Sequence, residues 1–235
     1  MKVLFLLPPS EGKNPEGNLG REKLSFNFEK PCGIAIHVTE KDLKCTGNRY
    51  QEWVELNTDL CNLEGERNVA DAISRYTGVM FNAIDYQGMT SEGKKYFEEK
   101  YLIFSGMYGI VKPLDQIGNY KLPIETKGLA KYWQADITDA LNNANADYIV
   151  NLLPLSYQKM IDFKHLKPWV ININFLTEKN GKIVKISHWV KKIKGEWIKN
   201  LCEQIGKNKD QNIFEVFWWE KIETDKTIEI NILKH

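Results

Sequence analysis

The sequence predicts an α+β fold: one domain over residues 1–235, with a mixed sheet, two C-terminal hairpins and a helix-hairpin-helix-like element near the N-terminus. Three observations carry this expectation. Short unbroken apolar runs at Val3–Leu7 and Tyr101–Phe104 have the length and composition of buried strands. Helical periods recur between and after them, in an order too irregular for a doubly wound sheet. No linker or shift of composition divides the chain, and 235 residues suffice to bury a core without staples.

The first run ends at Pro8-Pro9, where backbone donors vanish and φ is fixed. Residues 12–32, rich in Gly, Asn, Glu and Lys, read as a long polar loop. Thr39 is placed to cap a helix; after Gly47, Tyr50, Trp53, Val54 and Leu60 recur at near-helical spacing, giving a helix, a Gly turn and a second helix. Asn68–Arg75 reads as a third helix that leaves at Tyr76-Thr77-Gly78, and Ser91 as the cap of Glu92–Lys100, which feeds the strand at Tyr101. A helix over Gly128–Leu141 and a strand over Tyr148–Leu153 follow. Asn180-Gly181 separates Val170–Thr177 from Lys182–Val190, and both residues tolerate positive φ, the strongest short hairpin signal. A helix over Glu196–Ile205 places Trp197, Leu201, Cys202 and Ile205 on one face, and Phe214–Ile222 with Thr227–Leu233 closes the chain as a second hairpin.

Composition narrows the function. Net charge is +1, from 32 basic and 31 acidic residues, so only local clustering could mark a nucleic-acid or membrane partner. Cys32, Cys45, Cys61 and Cys202 stand too far apart for CxxC pairing, and no His lies at ligand spacing. Free thiols in a reducing cytoplasm, with no disulfide framework, no metal and no cofactor, are expected. The run Val3–Leu7 is shorter than a signal-peptide core, and no stretch approaches the ~20 apolar residues of a membrane span.

Three places carry chemistry. LPPSEGK at residues 7–13 invites comparison with a phosphate-binding loop, but Leu7 and Asn14 replace its first Gly and its magnesium hydroxyl. What survives is Ser10, the Gly12 backbone and Lys13 at the end of a strand, where an anion could meet them, against a plain structural exit. Lys44-Cys45-Thr46-Gly47-Asn48-Arg49 reads either as a hairpin that presents amides and charge to a phosphate or as an ordinary αα turn. Lys191, Lys192 and Lys194, with Lys199 beyond, form the densest basic cluster.

The segment from Ser105 to Gly128 has the composition of a pocket wall. Gly106 and Gly109 allow close approach, Pro113 and Pro123 stiffen the path, and Tyr108, Asp115, Tyr120 and Lys121 supply a base, aromatic faces and a cation. The competing reading has the glycines only turning the chain and Asp115 only capping it.

A further set of residues identifies a relative. Pro9-Ser10, Tyr76-Thr77-Gly78, Ser105-Gly106-Met107-Tyr108-Gly109, Lys112-Pro113-Leu114-Asp115, Tyr120-Lys121-Leu122, Tyr132-Trp133, Asn151-Leu152, Tyr157 and Lys191-Lys192 with Lys194-Gly195 occur in that order. On these motifs the chain resembles the bacterial YaaA family of peroxide stress proteins nearly end to end. The resemblance implies a cytosolic protein that protects against hydrogen peroxide by limiting free iron and binds double-stranded DNA through a helix-hairpin-helix element. Carried over, Lys44–Arg49 would be the hairpin, Lys191, Lys192 and Lys194 part of a basic cleft, and Trp133 part of the pocket. Where family members often carry Arg, this chain has Lys112, Lys121 and Lys194, point charges in place of bidentate forks.

Two functions compete at this stage. One is double-stranded DNA binding by the hairpin and basic cleft. The other is an enzyme on a small anion, nucleotide or nucleobase-like substrate, in a pocket built from residues 9–13 and 105–128, with Ser10, Glu11, Asp115, Tyr120 and Lys121 as its acid and base groups. Direct iron sequestration finds little support, since ligand-spaced clusters are lacking.

Overall fold

A computed structural model describes residues 1–62, 64–179, 182–185, 189–207, 221–224 and 227–234. Among them the strands are β1 (Val3–Leu7), β2 (Asn18–Gly20), β3 (Arg67–Asp71), β4 (Tyr101–Ser105), β5 (Gly109–Val111), β6 (Gln116–Gly118), β7 (Tyr148–Asn151), β8 (Trp169–Lys179), β9 (Lys182–Lys185), β10 (Lys221–Thr224) and β11 (Thr227–Lys234). The helices are α1 (Cys32–Ala35), α2 (Glu40–Leu43), α3 (Gly47–Cys61), α4 (Ala72–Arg75), α5 (Val79–Ile84), α6 (Ser91–Lys100), α7 (Leu129–Asn143), α8 (Leu155–Gln158) and α9 (Val190–Lys207).

An eight-stranded mixed sheet organises the chain, in the order β10-β11-β8-β7-β1-β4-β5 with β9 paired to β8. Its centre, β11-β8-β7-β1-β4, is parallel, and β5, β9 and β10 add antiparallel. Strands buried on both faces must be apolar throughout, which is why β1 and β4 read as unbroken runs rather than alternating ones. A small antiparallel sheet, β2-β3-β6, lies apart.

Helices α5 and α6 both pack on α9, with α6 against β1 and α9 against β8. Gly195 lets α9 approach α5 closely: a Cβ there would collide with the Met80 carbonyl and with Ala83. Helix α7 packs on β5 and buries Leu129, Trp133, Ile137 and Leu141, a four-residue spacing that makes one apolar face. On α9, Leu201, Cys202 and Ile205 are buried as their spacing predicts, while Trp197 is half-buried.

Several expectations need correction. Asn68–Arg75 is not one helix: Arg67–Asp71 is a strand and only Ala72–Arg75 makes a helical turn. The alternation of buried Arg67, exposed Asn68 and buried Val69 is the period of a strand, and its partners β2 and β6 lie far away in sequence. The polar loop 12–32 contains β2 and a bridge from Lys13 to Tyr76. The sheet's centre is more regular than the irregular element order suggests. β8 pairs antiparallel with β9 and β10 with β11, whereas the Asn180-Gly181 turn, residues 214–220 and His188 lie outside the described residues.

Cysteine usage also differs from expectation. Cys32 and Cys61 form a disulfide with their Cα atoms 5.6 Å apart, because α1 packs against α3. Cys45 and Cys202 are free, so the all-thiol expectation holds for this second pair alone. Closing a loop of 29 residues removes unfolded-state entropy worth about 3–4 kcal/mol. Cys32→Ser/Cys61→Ser should therefore lower the urea-unfolding free energy by about that amount; equal stabilities would show that the bond constrains nothing.

Candidate active site at the carboxyl ends of the central strands

The carboxyl ends of β1, β4 and β7 lie side by side, with Leu7 opposite Ile103 and Leu6 opposite Asn151. β1 has β4 on one flank and β7 on the other, the position at which parallel sheets usually open a crevice for ligands. The chain leaving β1 is pinned by the segment after β3. Thr77 N donates to Gly12 O (3.0 Å) and Asn14 N to Arg75 O (2.8 Å), flanking the antiparallel Lys13–Tyr76 bridge.

Buried Arg75 ties the same loop from beneath. Its guanidinium donates to the carbonyls of Asn14, Glu16 (3.0 Å) and Asn68 (3.2 Å) and to Asn68 Oδ1 (2.8 Å). Gly78 (φ +105°) then passes so near Ser10 that a Cβ would stand 2.9 Å from its hydroxyl. The residue type is fixed by both the angle and the space.

These constraints aim Lys13. Its Nζ donates to Ser10 O (3.2 Å) and stands 4.3 Å from the Tyr120 ring centroid and 5.6 Å from that of Tyr76. Among the described residues no carboxylate pairs with it. Burial lowers its pKa to about 7; Glu11 opposes this, and the charges of Lys121 and Arg75 add to it.

Below the amine runs a chain of hydroxyls. Tyr76 and Tyr120 are 2.8 Å apart at their oxygens, Tyr120 and Ser105 2.7 Å, and Ser105 Oγ accepts the Tyr108 amide (2.9 Å). Burial pushes Tyr76 up to about 12 and Tyr120 well above its ordinary value, so both keep their protons at neutral pH. A second lysine turns inward nearby: Lys194 donates to Leu152 O (2.6 Å) at the exit of β7, and burial lowers it to about 8.

The sign of the pH dependence follows. Between about pH 7 and pH 10 the unfolded chain keeps Lys13 protonated while the folded chain releases the proton, so stability rises with pH. Each such group contributes up to ~1.4 kcal/mol per pH unit, and Lys194 adds in the same direction above about pH 8. Urea unfolding at pH 6, 8 and 9.5 should give rising free energies; a flat or falling profile would contradict the burial of these amines.

Of the residues anticipated from sequence, Ser10, Lys13, Ser105 and Tyr120 come together here. Lys121 joins them through its charge; its Nζ lies 5.8 Å from the Trp53 ring, and its backbone is held by Asn57 (3.1 and 3.0 Å). The others serve the scaffold. Tyr108 donates to Glu22 and accepts the Gly118 amide (3.0 Å). Asp115 accepts from Ser25 Oγ (2.6 Å) and the Lys112 amide (2.9 Å), as a turn cap does. The Gly106 carbonyl takes the indole N–H of Trp133 (2.8 Å), which is core. Glu11 is exposed.

The basic elements also divide. Lys191 and Lys192 are exposed, with Lys192 3.6 Å from Glu196, whereas Lys194 faces inward and leaves the anticipated cleft. Thr39 and Asp42 build a capping box on α2, and Lys44, in the left-handed region (φ 53°), starts the turn into α3. Gly47 N donates to Glu40 Oε1 (3.3 Å), so the chain's own carboxylate occupies the amide expected to hold a phosphate. Sequence reasoning missed Arg75 and took Tyr76 for a helix exit; Tyr76-Thr77-Gly78 was the available signal, since a Tyr-Thr-Gly cluster fits a close approach as well as an exit.

Among the described residues no group of three or more His, Cys, Asp or Glu is placed to hold a metal ion, and no helix is long and apolar enough to cross a membrane. The family model described as peroxide stress protein YaaA matches residues 3–218. A UPF0246 protein of Rickettsia conorii is 32% identical over 206 residues, covering 80% of this chain and 83% of its own. One of Marinomonas sp. is 32% identical over 190 residues (74% and 70%), and one of Rickettsia felis 29% over 206 (80% and 83%). With a match spanning nearly the whole chain, including the loop that carries Lys13 and the strands beneath it, this protein belongs to the YaaA family of peroxide stress proteins.

Proposed function

We propose that this peroxide-stress protein is a cytoplasmic enzyme acting on an anionic, nucleotide-like substrate at the carboxyl ends of β1, β4 and β7, with Lys13 as the reactive amine. One observation supports the reading above the rest: the Lys13 amine sits between the Ser10 carbonyl and two tyrosine rings with no carboxylate partner among the described residues. An unpaired buried amine costs stability, and such groups cluster where chemistry needs them. The Ser105–Tyr120–Tyr76 hydroxyls can pass a proton, and Lys121 adds the positive potential that draws a phosphate. Thermal unfolding with AMP, ATP and pyrophosphate tests it. A bound nucleotide at 100 times its Kd should stabilise by about 2.7 kcal/mol, and Lys121→Ala should lose most of that; no response to any of the three would overturn the reading.

A second reading, double-stranded DNA binding, is favoured by a separate observation: Lys44, Asn48 and Arg49 are exposed together at the turn that opens α3. Because Gly47 N is turned to Glu40, side chains rather than amides would make the phosphate contacts. Changing Lys44 and Arg49 to Ala should flatten the slope of log affinity against log salt by about 1–2 units; an unchanged slope would contradict it.

A further inference from the structure

We propose that Lys13 condenses with an aldehyde borne close to a phosphate, forming an imine, so that the pocket captures phosphorylated sugar aldehydes. This rests on the enzyme reading of the same pocket and deepens it by naming the substrate class. No carboxylate pairs with the Lys13 amine among the described residues; the Ser10 carbonyl at 3.2 Å and the faces of Tyr120 and Tyr76 favour the ammonium, against a burial that disfavours it. The residue is half-buried rather than sealed. Asp115 caps its turn through Ser25 and Lys112, burial drives Tyr76 and Tyr120 upward, and Lys194, lowered to about 8, is held at the Leu152 carbonyl. A lysine amine freed of its proton is a nucleophile as well as a base, and attack on a carbonyl carbon is the chemistry for which the hydroxyl chain and Lys121 equip it.

The step balances without an oxidant. The amine lone pair forms the C–N bond, nitrogen gives up its protons, and the carbonyl oxygen takes up two and leaves as water when the C–O bond breaks. Amine plus aldehyde gives imine plus water, and no electrons are exchanged. The Tyr76–Tyr120–Ser105 hydroxyls, linked at 2.8 and 2.7 Å, can relay the protons between nitrogen and the departing oxygen. Lys121, close enough for its charge to act on Lys13, is the cation for the phosphate.

Such an aldehyde has two sources: a free sugar phosphate, or the ring-opened deoxyribose of a base-free position in DNA. The second is sterically connected to the exposed turn. Lys121 lies over Trp53 of α3, and Trp53 is about 9 Å along the helix axis from Gly47, by the rise per residue.

The test incubates the wild-type chain with 2-deoxyribose 5-phosphate or with a duplex holding one abasic site, adds cyanoborohydride to reduce any imine, and maps the modified lysines by peptide mass spectrometry. Lys13 should be labelled at least about ten-fold faster than exposed lysines such as Lys41, because far more of it is neutral at pH 7. Trapping from the free sugar alone identifies a metabolite substrate, and trapping from the duplex alone a DNA-borne one; either supports the inference. Label spread over exposed lysines with Lys13 no faster overturns it. If nucleotides still stabilise the chain in that case, the imine alone fails; if they do not, the pocket reading fails with it. Mapping on the wild type keeps the test independent of how any variant folds.

Discussion

Lys13→Met will make the protein more stable and chemically inert. At pH 6 the native chain carries a buried ammonium with no carboxylate paired to it among the described residues, a state that burial disfavours strongly enough, against the pull of the Glu11 charge, to bring its pKa to about 7. Met fills the same path beneath Ser10 and against Tyr120 with no charge to desolvate. Urea unfolding should show a gain of about 2 kcal/mol or more at pH 6, shrinking as the pH rises and vanishing above about 10.4, where the wild-type amine is neutral in both states. The same substitution should remove all site-specific aldehyde trapping. A gain in stability with loss of chemistry is what a retained, costly functional group predicts. A Lys13→Met chain less stable than wild type at pH 6 would mean that the amine is a structural element after all.

Arg75→Ala should have the opposite and larger effect. The guanidinium satisfies carbonyls from three positions, Asn14, Glu16 and Asn68, and joins the first loop to β3. Removing it strands those acceptors beneath a buried surface and frees the loop that aims Lys13. The expected loss is about 3–5 kcal/mol in urea or thermal unfolding. Arg75→Lys should recover little, because one ammonium cannot reproduce the fork. A loss below about 1 kcal/mol would show that backbone pairing alone, Thr77 to Gly12 and Asn14 to Arg75, holds the loop.

Much of this architecture is written locally. β1 and β4 are legible because parallel strands at the middle of a sheet must be apolar on both faces, and α7 because Leu129, Trp133, Ile137 and Leu141 repeat every fourth residue. β3 is not legible: five residues with Arg, Asn and Asp among them become a strand through partners roughly fifty residues away on either side. The Cys32–Cys61 bond likewise depends on α1 meeting α3, which spacing alone does not disclose.

The site divides in the same way. Ser105 ends β4 and Ser10 and Lys13 follow β1, where sequence can point to them. What sequence cannot supply is that Arg75 and Tyr76 reach back across 61 and more residues to fix that loop and floor it. It also cannot separate Asp115, which caps a turn, from a carboxylate that faces a ligand. Lys13 looks from sequence like an anion-binding cation, and only its burial lowers its pKa to about 7.

The ionisation of Lys13 is therefore the quantity to measure. Titrating the lysine side chains by NMR, with carbon-13 at the ε position and Lys13→Met to assign the resonance, reads it directly. The account predicts a lysine signal with its midpoint near pH 7 that disappears in the variant. A Lys13 signal that titrates with the exposed lysines, at about 10.4, would contradict it.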